Sequence, residues 1–270
     1  MDKILGFIGC GNMASAIIGG IVKGGIAKAE NIIASDGYKG SLDKAKESFG
    51  IRAALNDNLS VAKEADIIIL AVKPNVYGAV IEEIRDSVKE DVIIVTIAAG
   101  ISIDFVEKGF GRKIKVVRTM PNTAALISES MTALCKNEQV SDEEFNKVIS
   151  IFDGVGKTET IDEKLMEAVV CVNGSSPAYI YMFLEAMGDG GVLQGLPRDK
   201  AYKMAAQAMI GAAKMLLDTG KHPGELKDMV CSPAGTTIEA VYSLEKNNFR
   251  GTVIEAMVEC TKKANKMAGK

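Results

Sequence analysis

Short apolar runs alternate with amphipathic stretches along the first 162 residues of the chain. Residues 67–70 are Ile-Ile-Ile-Leu, and such continuous runs are typical of parallel strands buried on both faces of a sheet. Because helical patterns separate the runs in units of about 30 residues, the alternation predicts an α/β fold with a doubly wound sheet. The predicted strands are residues 3–8, 31–35, 66–72, 92–97, 114–118, 130–135 and 157–161. The predicted helices between them are residues 14–22, 41–49, 76–88, 103–108 and 142–152.

The pattern changes after Asp162, where strand signals almost disappear and helical periodicity dominates. Residues 201–217 are rich in Ala, Met and Leu, and a helix this apolar needs burial on most of its sides. Either the helical half buries this helix alone, or a second copy of the chain covers it. The small size of the helical half favours a second copy. The predicted helices are residues 163–172, 179–194, 199–218 and 253–267, with another that begins near Ile238.

A glycine-rich turn joins the first predicted strand to the first predicted helix. Gly9, Gly11 and Ala14 form the pattern G-x-G-x-x-A, in which the first glycine permits a tight turn and the second leaves room for a pyrophosphate. The N–H groups at the start of the following helix are suited to bind that anion. Because an apolar strand precedes the pattern and a helix follows it, the sequence favours a Rossmann-type dinucleotide site over an ordinary strand-to-helix turn. We therefore predict a dinucleotide-binding domain over residues 1–162, followed by an all-helical domain over residues 163–270 that a second copy of the chain covers.

Composition and charge narrow the range of partners. The net charge of −3 gives no electrostatic reason to expect nucleic acid or an anionic membrane surface as a partner. No apolar run approaches the ~20 residues that span a bilayer, and the chain enters its first strand directly, so we expect neither a membrane segment nor a signal peptide. The five cysteines are scattered without metal-ligand spacing, which predicts reduced thiols, no metal site and a cytoplasmic location. The single histidine, His222, lies in a His-Pro-Gly turn and is a poor catalytic candidate.

Two motifs stand out in addition: Met-Pro-Asn-Thr at residues 120–123 and Ser-Pro-Ala-Gly-Thr-Thr at residues 232–237. With further segments at residues 71–74, 98–100, 175–179, 195–198 and 222–228, they make nearly the whole chain resemble the pyrroline-5-carboxylate reductase family. The resemblance implies reduction of the ring imine of 1-pyrroline-5-carboxylate to L-proline, the last step of proline biosynthesis, by hydride transfer from NAD(P)H. It also implies that residues 163–270 are a substrate-binding and dimerisation domain through which a homodimer forms, and leaves open whether dimers assemble further.

The substrate of that family is small and carries a carboxylate, so its site needs donors for an anion. Residues 232–237 precede a predicted helix, whose N-terminal N–H groups are suited to hold a carboxylate. The alternative is a helix start that Thr236 or Thr237 caps. The resemblance places Thr237 beside the imine nitrogen and Glu163 close to the ring, as catalytic candidates. The residues implied in substrate binding are Glu163, Ser176, Gly235, Thr236 and Thr237.

Both catalytic candidates have a simpler interpretation. The imine could arrive already protonated from solvent, in which case Thr237 only orients it. Glu163 could be an acid that stabilises the first turn of its own helix.

The candidate cofactor site combines the glycine-rich turn with the carboxyl ends of later strands, where doubly wound folds bind ligands. Its residues are Ile8, Gly9, Cys10, Gly11, Asn12, Met13, Ser35, Asp36, Ala71, Pro74 and Asn122, and the family resemblance implies that Asn58, Val72, Lys73 and Ala99 also line the dinucleotide. For Lys73 the alternative is a solvated charge at a strand end, and for Asn122 an ordinary turn residue.

The choice of nucleotide depends on the end of the second strand. The carboxylate of Asp36 suits a ribose diol and favours NADH, whereas Ser35 and Lys39 suit the 2′-phosphate of NADPH. The family resemblance favours NADPH, with NADH as the alternative.

Some positions differ from the pattern of the family. Ala124 stands where a second proline often follows, and residues 173–176 are Asn-Gly-Ser-Ser instead of Ser-Gly-Ser-Gly. Ala234 replaces a glycine and is strained if that position has a positive φ. Cys10 replaces an alanine, either as a small filler or as a thiol sensitive to oxidation. The alternatives to the reductase are therefore a regulatory NADPH-binding protein without turnover and a reductase of a related small cyclic imine or β-hydroxyacid.

Overall fold

The computed structural model describes residues 1–269 and places them in two compact units. The first unit comprises Met1–Ser175 together with residues 260–269, and the second comprises Ser176–Glu259. The domain boundary expected after residue 162 stays a prediction, because a compact unit and a functional domain are different divisions of a chain.

Eight strands form the sheet of the first unit: β1 (Leu5–Ile8), β2 (Ile32–Asp36), β3 (Arg52–Leu55), β4 (Ile67–Leu70), β5 (Ile93–Thr96), β6 (Lys115–Met120), β7 (Ser130–Lys136) and β8 (Gly156–Thr160). Their order is β3-β2-β1-β4-β5-β6-β7-β8, and every neighbouring pair is parallel except β6 and β7. The first six strands have the order of a Rossmann fold, which confirms the predicted fold class. All the predicted strands are present, with ends shifted by at most two residues.

The sequence pattern did not predict β3. This strand lies at the edge of the sheet, pairs only with β2, and consists mostly of exposed residues. An edge strand does not need the continuous apolar run that marks a buried one, so its four residues carry little signal.

Helices cover both faces of this sheet: α1 (Asn12–Lys23), α2 (Lys39–Phe49), α3 (Asn58–Glu64), α4 (Tyr77–Ile84), α5 (Ile103–Phe110), α6 (Asp142–Asp153) and α7 (Met166–Val169). Successive strand residues point to opposite faces, so Phe7 packs with Ile17 of α1 in one core while Ile8 packs with Ile81 of α4 in the other. The unpredicted helix α3 is short, and the Asp57 side chain caps it.

The helix predicted over residues 163–172 is a composite of three kinds of turn. A 3-10 helix (Glu163–Leu165) leads into α7, and a π-helix (Val170–Gly174) follows. The N–H of Ser175 closes this wide turn by donating to the carbonyl oxygen of Val170 at 2.8 Å. Turns of this kind occur frequently at functional sites.

The second unit is helical, as predicted, with α8 (Ser176–Leu193), α9 (Arg198–Thr219), α10 (Pro223–Val230), α11 (Thr236–Lys246) and the first part of α12 (Phe249–Met267). Large apolar side chains are exposed in the single chain, among them Met182 (69%), Leu193 (83%) and Leu217 (78%). Extensive apolar exposure indicates a surface that another chain covers. Over residues 1–269, the helices lack the combination of length and apolar character that crossing a bilayer requires.

Candidate functional site

The glycine-rich turn between β1 and α1 has the geometry of an anion site. Gly9 has a φ of +95°, and a Cβ atom on it would lie 2.6 Å from the carbonyl oxygen of Ala71, so only glycine fits. Gly11 is the N-cap of α1, and a Cβ atom on it would have no described atom within 4 Å, which leaves open space. Among residues 1–269, no side chain caps this helix start, and its first turn, which begins with Asn12 and Met13, contains no acid. These features fit the pyrophosphate of a dinucleotide.

Asp36, the last residue of β2, is tied to the same turn. Its Oδ2 atom accepts the N–H of Cys10 at 2.6 Å, and its Oδ1 atom accepts the N–H of Tyr38 at 2.8 Å. A carboxylate at this strand end has lone pairs left for a ribose hydroxyl, and its charge opposes a 2′-phosphate.

Ser35 and Lys39, the residues predicted to suit a 2′-phosphate, differ in access. The Ser35 side chain is fully buried, and its backbone carbonyl accepts the N–H of Gly9 at 2.8 Å. Lys39 is exposed and pairs with Asp43 one turn further along α2. Of the two side chains, only that of Lys39 is accessible to a ligand.

Cys10, between the two glycines, is buried. Burial, with the negative charge of Asp36 as a second cause, raises the pKa of the Cys10 thiol to about 11. The thiol therefore stays protonated at neutral pH, in its unreactive form. This favours the small-filler interpretation of Cys10.

The turn after β4 supplies further candidate cofactor residues. Ala71 extends the pairing of β1 with β4 by donating its N–H to the carbonyl oxygen of Ile8 at 2.8 Å. Val72 is partly buried, Lys73 is exposed, and Pro74 begins a 3-10 helix. The turn thus places Lys73 in solvent at the carboxyl end of the sheet.

Asn58 and Ala99 complete the candidates that follow strands β3 to β5. Asn58 is the first residue of α3, and its Nδ2 atom donates to Oε2 of Glu83 at 2.8 Å. Ala99 is partly buried beyond the end of β5.

Asn122 follows β6 and caps a short 3-10 helix (Thr123–Ile127). Its Oδ1 atom accepts the N–H of Ala124 at 3.1 Å, and its own N–H donates to Oγ of Ser130 at 3.2 Å. Its Nδ2 atom donates to Oδ1 of Asn173 at 2.8 Å. The side-chain oxygen of Asn122 therefore stabilises the turn, while its side-chain nitrogen has one hydrogen left to donate to a further acceptor.

The carboxylate of Glu163 is held at the N-terminus of α5. Its Oε1 atom accepts the N–H of Ile103 at 2.7 Å and a hydrogen bond from Nη1 of Arg118 at 3.3 Å. Arg118 is fully buried, and its Nη2 atom donates to Oε1 of Glu167 at 3.4 Å. Glu163 thus stabilises the start of another helix, and 35% of its side chain is exposed to solvent.

In the second unit, residues 232–237 form a turn that leads directly into α11. The N–H of Gly235 donates to the carbonyl oxygen of Ser232 at 3.1 Å, with Pro233 and Ala234 in the middle of the turn. Ala234 has a φ of +54°, so the positive φ anticipated for this position is present. Pro followed by a residue of positive φ is the signature of a type II turn, whose third residue is normally glycine.

The N-cap of α11 is Gly235, and neither Thr236 nor Thr237 caps the helix. A Cβ atom on Gly235 would lie 2.4 Å from Oγ of Ser232 and 3.1 Å from its carbonyl oxygen, so a larger residue would have to displace the Ser232 side chain. In the described part of the chain no side chain bonds to this helix start, which leaves its first N–H groups and the two threonine hydroxyls for an anion.

The candidate residues divide between the two units. The cofactor candidates and Glu163 belong to the first, whereas Ser176, Gly235, Thr236 and Thr237 belong to the second. The role of each residue in binding or catalysis stays a prediction. Within residues 1–269, no group of His, Cys, Asp and Glu side chains could hold a metal ion.

Two residues at the site were not identified from the sequence. Arg118 had a usable signal, because a charged residue directly after the apolar pair Val116 and Val117 of a buried strand needs a partner. Asn173 lies in a segment that departs from the family pattern, but nothing in the sequence indicated its role, because its partner Asn122 is 51 residues away in the chain.

Two family models match the chain. The model described as pyrroline-5-carboxylate reductase dimerisation matches residues 163–267, which supports a homodimer. The model described as NADP oxidoreductase coenzyme F420-dependent matches residues 4–100.

Individual proteins match over nearly the full length. Pyrroline-5-carboxylate reductase of Escherichia coli (strain K12) is 48% identical over 271 residues, which cover 99% of each chain. The structure of a pyrroline-5-carboxylate reductase from Coxiella burnetii has a TM-score of 0.92 at 32% identity and 99% coverage of each chain. The Plasmodium falciparum pyrroline carboxylate reductase, crystallised with NADP bound, has a TM-score of 0.90 at 32% identity and covers 99% of this chain and 98% of its own. Given 48% identity to the E. coli protein along both chains, this chain belongs to the pyrroline-5-carboxylate reductase family.

Proposed function

We propose that this chain reduces 1-pyrroline-5-carboxylate to L-proline with NADPH, the last step of proline biosynthesis. The observation that carries the proposal is a pair of helix starts with glycine N-caps, α1 after Gly11 and α11 after Gly235, that have no capping side chain among the described residues. A reductase that binds both a dinucleotide and a small substrate with a carboxylate needs two anion-binding sites. The motifs at residues 9–14 and 232–237 provide one each.

Thr237 orients the imine in this proposal. When bound, the reduced nicotinamide supplies a hydride to the imine carbon. The ring nitrogen gains one proton in the same reaction, and the Thr237 hydroxyl hydrogen-bonds to that nitrogen. Because a hydroxyl is a weak acid, the proton originates in solvent and reaches the nitrogen before binding or through Thr237.

Glu163 acts through its charge. A carboxylate beside the ring favours a protonated, positively charged imine, which is the form that accepts a hydride most readily. The N–H of Ile103 and the guanidinium of Arg118 hold the carboxylate in place. The substrate carboxylate binds at Gly235 and Thr236, and Ser176 contributes its hydroxyl at the start of α8.

NADPH is the proposed nucleotide. The match of residues 4–100 to an NADP oxidoreductase model and the NADP bound to the P. falciparum relative support it. Lys39 is the accessible cation for a 2′-phosphate, whereas Asp36 favours the diol of NADH. Measurement of KM for both nucleotides decides between them, and a clear preference for NADH contradicts the proposal.

We assign dinucleotide binding to residues 1–162 and substrate binding and dimerisation to residues 163–270. The dimerisation model over residues 163–267 supports the second assignment. We propose that the protein is a cytoplasmic homodimer. Light scattering of the purified chain tests the assembly, and fractionation of the source cells tests the location.

The primary test is the loss of NADPH absorbance when 1-pyrroline-5-carboxylate is added to the purified chain, with proline identified as the product. Thr237→Ala is expected to lower kcat and leave the Kd for NADPH unchanged. Thr252→Ala is the control, because its hydroxyl donates to the carbonyl oxygen of Asn248, four residues earlier in the chain, and Thr252 is not a candidate site residue.

NADPH binding without turnover of any small cyclic imine contradicts the proposal and favours a regulatory protein. The positive φ of Ala234 is the specific observation behind that second candidate. Ala234→Gly and Ser176→Gly, which restore the family pattern, are then expected to restore turnover.

A further inference from the structure

Asn173 joins three segments at the carboxyl edge of the sheet. Its Nδ2 atom donates to the carbonyl oxygen of Met120 at 2.9 Å and to that of Met131 at 2.8 Å. Its Oδ1 atom accepts from Nδ2 of Asn122 at 2.8 Å. Met120 ends β6 and Met131 lies near the start of β7, so this one amide in the π-helix closes the end of the antiparallel pair.

The two backbone carbonyls fix the orientation of the Asn173 amide. A carbonyl oxygen only accepts hydrogen bonds, so the atom that faces Met120 and Met131 has to be the amide nitrogen. The oxygen of Asn173 then faces Asn122, where only the nitrogen of the Asn122 amide can donate to it. The resulting orientation of Asn122 agrees with the hydrogen bond that its Oδ1 atom accepts from the N–H of Ala124.

These hydrogen bonds determine which atom of the Asn122 side chain is available to a ligand. Its nitrogen carries two hydrogens, and one of them is used by Asn173, so a single N–H is left. We propose that Asn173 is a positioning residue that presents Asn122 as a hydrogen-bond donor to an acceptor atom of the bound nicotinamide nucleotide. The inference rests on the proposed function, because it takes Asn122 as a cofactor residue.

Asn137 provides a matched comparison at the other end of the same strand pair. Its Nδ2 atom donates to the carbonyl oxygen of Ile114 and to Oε1 of Glu107, both at 2.8 Å, and its Oδ1 atom accepts the N–H of Val116 at 3.1 Å. Each asparagine thus ties neighbouring segments with three bonds from one amide. Asn137 does so at the amino end of β6, opposite the edge that carries the candidate cofactor residues.

The test compares Asn173→Ala with Asn137→Ala. Calorimetry measures the Kd for NADPH, and hydrogen exchange in the nucleotide-free protein measures protection of the Ala124 amide. Asn173→Ala is expected to raise the Kd about tenfold, the usual effect of losing one oriented hydrogen bond, and to accelerate exchange at Ala124. KM for NADPH rises with the Kd, while kcat at saturating NADPH changes by less than about twofold. Asn137→Ala is expected to lower Tm but to leave Kd, KM and Ala124 exchange unchanged.

An unchanged Kd and unchanged Ala124 exchange in folded Asn173→Ala overturn the proposal. An equal rise in Kd in Asn137→Ala also overturns it, because that result indicates general loosening of the sheet. If Asn173→Ala does not fold, Asn173→Ser, which keeps a hydroxyl donor, is measured in the same way. If the unaltered chain does not bind NADPH, the proposed function fails, and the role of Asn122 as a donor to the nucleotide fails with it. Ala124 exchange then tests the part of the inference that remains, that Asn173 holds Asn122 in place: faster exchange in Asn173→Ala than in Asn137→Ala supports this positioning, and equal exchange overturns it.

Discussion

Arg118 and Glu163 form an ion pair that connects the buried strand β6 to the 3-10 helix that begins at Glu163, with 3.3 Å between Nη1 and Oε1. The arginine is fully buried, whereas the glutamate is partly open to solvent. The same guanidinium also bonds Glu167, which is buried. Removal of the arginine leaves two carboxylates without this cation, one of them in the core.

We predict that Arg118→Met lowers the free energy of unfolding by about 3–5 kcal/mol, the typical effect of removing one partner of a buried pair. Urea unfolding measures it. Lys147→Met is the control, because it breaks the exposed pair of Lys147 with Glu143 and is expected to change stability very little. Equal free energies of unfolding in the two variants contradict the assignment of Arg118 as the cation that neutralises Glu163 and Glu167.

Ala234→Gly is expected to raise the free energy of unfolding by about 0.5–1 kcal/mol. Alanine at a φ of +54° is disfavoured by contact of its Cβ atom with the backbone, and glycine removes that contact. Thermal unfolding measures the change. Ala240→Gly, inside α11, is the matched control and is expected to destabilise the protein by about 1 kcal/mol. Glycine there adds conformational entropy to the unfolded chain and relieves no backbone strain in the folded one. A destabilised Ala234→Gly shows that the turn accommodates alanine without strain.

Cys10 is expected to resist alkylation in the folded protein. With its pKa raised to about 11, its thiolate fraction at pH 8 is ~0.1%, and burial adds steric protection. Labelling at pH 8, located by peptide mass spectrometry, is expected to be at least ~100-fold slower than in the urea-unfolded chain, and to accelerate as the pH approaches 11. Rapid labelling of the folded protein at pH 7 means that the glycine-rich turn opens in solution.

Asp36→Asn is expected to shift the nucleotide preference toward NADPH, by ~5-fold or more in the ratio of the Kd values for NADH and NADPH. The substitution removes the negative charge that opposes a 2′-phosphate and keeps one oxygen to accept a backbone N–H. Calorimetry with both nucleotides measures the ratio. Glu47→Gln removes the same charge from an exposed position of α2 and is the control. An unchanged ratio in Asp36→Asn excludes Asp36 as the discriminating residue.

The strands that the sequence predicted are those buried on both faces of the sheet. Residues 67–70 are apolar at every position because helices cover both faces of the sheet. The burial of this strand could therefore be recognised from the sequence without knowing which helices pack against it. The strand β3 and the helix α3 were not predicted, because an exposed edge strand and a one-sided short helix leave too few apolar positions to form a pattern. The helix predicted over residues 163–172 was placed correctly, but its π-turn depends on a backbone bond between Ser175 and Val170 that periodicity does not reveal.

The sequence by itself determined the sites that depend on local backbone geometry. The requirement for glycine at Gly9, and the conditional expectation of strain at Ala234, followed from residue type and position within one turn. Only the tertiary structure decided which side chains support the site from a distance. Arg118 and Glu163 are 45 residues apart, and Asn122 and Asn173 are 51 residues apart. A local conformation is limited by the sterics of a few neighbouring residues, whereas a bond between distant side chains forms only when the packing of whole elements brings their atoms together.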